Sequence, residues 1–75
     1  MNLPMAPTDP EARPFVLAGL VSAWDPRSRV LHIGGHELWL LPQASPANLA
    51  IGKLATAIGH EEYSGRRFVT RLTVT

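Results

Sequence analysis

The sequence predicts a small all-β domain of five strands closing on themselves, with one short helical turn between the third and fourth strands. Three observations predict it. Gly34-Gly35 sits between two short apolar stretches, and a two-glycine loop is among the strongest hairpin signals because both positions accept φ > 0. Phe15–Trp24, FVLAGLVSAW, is apolar on both faces with Gly19 in its middle, the pattern of a strand that bends sharply or bulges to pass from one sheet into another. Arg66–Thr75 has the clearest polar–apolar alternation in the chain, as expected of a strand with one covered face.

Residues 1–14 hold Pro4, Pro7, Pro10 and Pro14. Prolines at that density remove amide donors and favour extended, unpaired backbone, so a flexible arm is expected over 1–14 and a barrel domain over 15–75. A docked arm, held through Leu3 and Met5, or a partner-binding segment is the alternative. The first strand follows over Phe15–Trp24. A helix competes there, but Val16, Val21, Gly19 and the want of a capping residue oppose it. Asp25-Pro26-Arg27-Ser28 has turn chemistry, with proline fixing φ at the first central position.

That turn leads into a second strand, Arg29–Ile33, and the glycine pair into a third, His36–Leu41. Leu31 and Ile33 share one face against Val30 and His32; Leu38 and Leu40 oppose Trp39 and Leu41. Pro42 ends the third strand because it has no amide to donate. Ser45 then reads as a helix N-cap with Pro46 at the first helical position and Gly52 as the stop, about one to two turns. Leu49 and Ile51 would plug one end of the barrel.

Lys53–Ile58 reads as the fourth strand. Its alanines, Ala55 and Ala57, suit a crowded interior and leave Leu54 and Ile58 towards the outside or under the short helix. Gly59–Gly65 is a polar, glycine-bracketed loop. In the last strand, strict alternation puts Phe68, Leu72 and Val74 on one face and Arg67, Val69, Arg71 and Thr73 on the other.

Five strands with a helical element between the third and fourth match the element order of an oligonucleotide/oligosaccharide-binding (OB) barrel. The stretches GLVSAWDPRSRVLHIGGHELWLLP, LAIGKLATAIGH and GRRFVTRLTV resemble small bacterial OB-like domains of uncharacterised function. The shared positions are Gly19, Val21 and Asp25, then Leu49 and Gly52, then Gly59 at the end of the fourth strand. The resemblance spans roughly Phe15 to Val74; it implies a fold and carries over no active site or ligand. Ala55 and Ala57 depart from it, standing where larger β-branched residues are usual.

Composition narrows the function. A chain of 75 residues makes one domain with a small core, so barrel closure or pairing with another subunit is the expected source of extra stability. It has no cysteine, which removes disulfides, thiolate nucleophiles and cysteine-based zinc sites. The net charge is +1, too small to demand a polyanionic partner. Of seven basic and six acidic side chains, Arg13, Asp9 and Glu11 lie in 1–14, so six basic and four acidic ones remain beyond it. The opening MNLPMAPTDPEARP has neither a basic n-region nor an apolar run, and no stretch approaches the ~20 apolar residues that span a bilayer. A cytoplasmic protein without a membrane partner is expected.

The candidate binding residues are few. Trp39 and Tyr63, with Trp24, could stack nucleobases while Arg66, Arg67 and Arg71 meet phosphates; tryptophans in a small barrel are more often core plugs or subunit contacts, and arginines on a final strand more often an ordinary solvated face. Apolar residues on both faces of the second to fourth strands exceed what one small core buries, so a homodimer is expected with Trp39 or Leu41 near its interface. His32, His36 and His60, with Glu37, Glu61 and Glu62, show no recognised ligand spacing, so neither metal nor cofactor is expected. With no P-loop and no G-x-S-x-G elbow, an enzyme is not expected either. Two functions are left: a noncatalytic module binding single-stranded nucleic acid weakly, or a protein-interaction or homo-oligomeric assembly module.

Overall fold

The computed structural model describes residues 12–44, 46 and 48–75. Five strands, β1 (Arg13–Asp25), β2 (Val30–Ile33), β3 (His36–Leu40), β4 (Leu54–Glu61) and β5 (Arg67–Val74), close into a barrel in the order β1-β2-β3-β5-β4. β3 and β5 run parallel, and the other neighbours are antiparallel. A 3₁₀ turn, Pro42–Ala44, lies between β3 and β4. This is the OB-like arrangement that the element order predicts.

β1 begins at Arg13, two residues before the expected start at Phe15, and residues 1–11 of the expected arm lie outside the described residues. Residues 13–20 pair with β4 and residues 21–25 with β2, so one strand serves both sides of the barrel. The bulge anticipated near Gly19 falls at Ser22, where the pairing steps from Val21↔Ile33 to Ala23↔His32. Gly19 has a different task. A Cβ there would come within 2.9 Å of the Ile33 Cγ2 atom, so the glycine makes room for a buried neighbour.

The β1–β2 turn is closed by Asp25, whose carboxylate accepts from the Arg27 amide and the Ser28 hydroxyl, both at 3.0 Å. Arg29 follows at φ 60°. Its guanidinium donates to the Leu40 and Leu41 carbonyls at 3.0 Å each, and its own carbonyl accepts from the Leu40 amide at 2.8 Å, clamping the end of β3. In the β2–β3 hairpin Gly34 and Gly35 both take positive φ, 55° and 86°, as the two-glycine loop requires.

The interior is built from Val21, Leu31, Ile33, Leu38, Leu40, Ala44, Ala55, Ala57, Val69 and Leu72. Ala57 lies between Leu17 and Leu72, and Ala55 between Gly19 and Val74, so each small β4 residue has a larger neighbour on β5. Leu54 and Ile58 are exposed, as expected. Three expectations are corrected. The helical turn occupies Pro42–Ala44, upstream of the expected Pro46–Gly52 span; Ser45 is outside the described residues, Leu49 packs against the core as expected, and Ile51 is exposed. Gly59, His60 and Glu61 belong to β4, so the loop shrinks to the residues between Glu61 and Arg67.

The strict alternation expected of β5 is interrupted. In β5, Ile58 pairs with Arg71 but Gly59 pairs with Val69, leaving Thr70 as an extra residue. A bulge of this kind breaks the two-residue period. Val69, expected beside the arginines, is fully buried, and Phe68, expected in line with Leu72, is half-buried outside the barrel.

Candidate nucleic-acid interface

The bulge and the parallel β3–β5 pair together bring flat side chains into one row. Val30 pairs with Trp39, Trp39 with Phe68, Phe68 with His60, and His60 with Pro14. Trp39 and Phe68 have ring centroids 6.2 Å apart and tilted by 42°. His60 and Phe68 stack at 5.7 Å and 28°. Tilted and offset contacts in this range suit the quadrupoles of the rings.

A cation completes the row. The loop joining β4 to β5 is pinched by the Glu62 amide donating to the Arg66 carbonyl and the Gly65 amide to the Glu62 carbonyl, each at 2.8 Å. Gly65 takes φ 92° in this turn, and the chain emerges at Arg66. Its guanidinium carbon then lies 5.4 Å from the Trp39 ring centroid. Two residues along β2 and β3 from the Val30↔Trp39 pair, the half-buried His32 and the exposed Glu37 approach at 3.8 Å.

The expected site residues are distributed unevenly over this surface. Arg66 and Trp39 are together. Tyr63 is exposed on the β4–β5 loop, beside a hollow of about 230 Å³ lined by Arg13, Glu61, Glu62 and Gly65. Arg67 donates to the His36 Nδ1 atom at 3.3 Å and lies 3.7 Å from the Glu61 carboxylate. Arg71 is exposed beyond the bulge, beside a hollow of about 390 Å³ formed with Gln43, Ala44, Pro46, Thr70 and Leu72. Arg67 and Arg71 therefore do not form the pair on one outward face that unbroken alternation predicts. Trp24 packs against the core. Leu41 is half-buried, with its amide bonded to Val69 and its carbonyl to Arg29.

Sequence alone does not mark Phe68 and His60 as site residues: strict alternation places Phe68 on the core face, and the bracketing glycines place His60 in a loop. Glycine at 59 was the available signal, since glycine within a strand marks a bulge or a close backbone approach. The three histidines have different partners: Glu37 for His32, Arg67 for His36 and Phe68 for His60. Among the described residues no group of three His, Cys, Asp or Glu side chains could hold a metal ion, and no helix is long and apolar enough to cross a membrane.

Comparison with protein-family models, with curated proteins and with solved structures returns no significant match. The reading of this surface therefore rests on its chemistry.

Proposed function

We propose that this OB-like barrel is a noncatalytic module that binds single-stranded nucleic acid weakly across the outer faces of β3, β5 and β4. The carrying observation is the row Arg66–Trp39–Phe68–His60, which combines flat rings on neighbouring strands with a guanidinium at one end. The OB fold uses its β2–β3 face and the loops after β1 and β4 for oligonucleotides, and two members of the row belong to that surface, Trp39 on β3 and Arg66 in the loop after β4.

Magnitudes favour access to the tryptophan. A cation–π contact at an exposed site is worth ~0.5–1 kcal/mol, whereas a base on an aromatic ring gains ~1–3 kcal/mol. A base can therefore displace Arg66 from Trp39, and the freed guanidinium turns to the adjoining phosphate. Arg67 and Arg71 add charge at the margins. Six basic against four acidic side chains beyond residue 14 keep the electrostatic contribution small. Single strands are met in the cytoplasm, and that location goes with this reading.

The test is titration of the protein into a fluorescently labelled mixed-sequence DNA oligonucleotide, followed by the label's anisotropy at low and moderate salt. Saturable binding that weakens with salt is expected, as phosphate contacts require. Trp39→Ala should cost ~1–3 kcal/mol of affinity, and Arg66→Ala should flatten the salt dependence. Absence of saturation below ~100 μM at low salt removes the proposal, since non-specific complexes already reach ~10⁻⁴–10⁻⁶ M. The second reading, an assembly module, is favoured by a different surface.

A further inference from the structure

The apolar excess that composition places on the second to fourth strands emerges mainly on β1 and β4. Two cross-strand pairs, Val16↔Ile58 and Leu20↔Leu54, have both members exposed, with Val16 at 70% and Leu20 at 60%. Between them lies the pair Ala18↔Thr56. Ile51, 68% exposed, precedes the Gly52–Lys53 backbone that bonds to Val21, next to Leu20. None of these seven side chains is ionisable.

We propose that this face binds a second copy of the same chain. Its relief is self-complementary: a row of small side chains, Ala18 and Thr56, separates two rows of large ones. Turned about a two-fold axis across the strands, the Leu20/Leu54 row of each copy seats in the Ala18/Thr56 row of the other. The Val16/Ile58 row then meets the partner's end of the patch around Ile51. A two-fold contact makes each such fit occur twice.

The area and the charge agree with this occupant. Five large apolar residues exposed by 40–70% form a patch near the top of the ~300–600 Å² that the largest patch on a monomer covers. Face to face, two such patches bury on the order of 1,000 Å², the size of a weak, reversible complex. A partner recognised by charge would need acidic or basic groups within the patch, and there are none. Lys53 and Arg71 flank it at its edge, where solvent reduces their repulsion.

Sedimentation of the full chain over roughly 1–500 μM, the range of such weak complexes, tests the proposal. The mass should rise from 8.2 kDa towards twice that value. Leu20→Glu and Leu54→Glu, both at exposed positions, should each weaken association at least ~100-fold, because each places like charges across the axis. Trp39→Ala should leave association unchanged. Circular dichroism on each variant confirms that the barrel is intact. A single-chain mass at every concentration overturns the proposal. So does association that survives both glutamate variants, or association lost with Trp39→Ala.

Discussion

Gly59 lies opposite Val69 where β5 carries its extra residue, and the strands are so close there that a Cβ on Gly59 would overlap the Phe68 carbonyl. The contact is backbone against backbone, so no rotamer change relieves it. It also sets the outward position of Phe68, and with it the aromatic row.

Gly59→Ala should therefore destabilise the barrel by about 3 kcal/mol or more, the upper range for overpacking. Denaturant unfolding measures this. Gly19→Ala, which meets only the end of the Ile33 side chain at 2.9 Å, should cost less. Equal effects would show that the strands can separate at the bulge.

The bulge also fixes which β5 positions are inside. Val69→Ala should cost about 2 kcal/mol from lost burial and the cavity left behind. Thr73→Ala, at an exposed position, should stay within about 0.5 kcal/mol. If β5 alternated without interruption the two would behave alike.

The hairpin tip separates two kinds of glycine requirement. A Cβ at Gly34 or Gly35 would meet nothing within 4 Å, yet both residues have positive φ. Gly35→Ala should cost about 1 kcal/mol through backbone strain alone. Gly34→Asn gives the favoured Asn-Gly pair and should be within about 0.5 kcal/mol of the parent. Thermal unfolding of the two variants distinguishes strain from crowding.

Asp25 gives the β1–β2 turn a pH dependence. The Arg27 amide and the Ser28 hydroxyl, donating to its carboxylate, hold its pKa below the ordinary value of 3.8. A folded pKa below the unfolded one means the stabilisation is present above the ordinary value and is lost as pH falls through the folded pKa. Asp25→Asn should therefore lower the midpoint of thermal unfolding at neutral pH. The difference from the parent should narrow only below about pH 4. A difference that instead narrows between pH 6 and 8, about the range in which histidine titrates, would place the effect elsewhere.

Local chemistry was legible in the sequence wherever one residue type decides the backbone. Gly34-Gly35 and Asp25-Pro26 marked their turns, and Ala55 and Ala57 marked the crowded interior. Features that depend on register were not. Ser22 and Thr70 have no signature as extra residues, yet each shifts the alternation of everything beyond it. Pro42 follows the end of β3 and is also the first residue of a 3₁₀ turn, closed by the Ala44 amide donating to the Leu41 carbonyl at 2.9 Å. The candidate site was half legible. Trp39 and Arg66 are conspicuous by type, whereas Phe68 and His60 join them only through pairings between strands distant in sequence, one of them parallel.

The pairing of β5 with both β3 and β4 has a consequence for how the barrel is made. A chain being synthesised can form the β1–β2 and β2–β3 hairpins early, because their partners are adjacent in sequence. The far sides of β3 and β4 have no partner until residues 67–74 emerge, and the first half of β1 waits for β4. Unpaired strand edges of this kind invite association with other chains, and long-range pairings of this kind form slowly. The last strand is thus the latch of the fold, and the nascent chain is most exposed to aggregation just before it arrives.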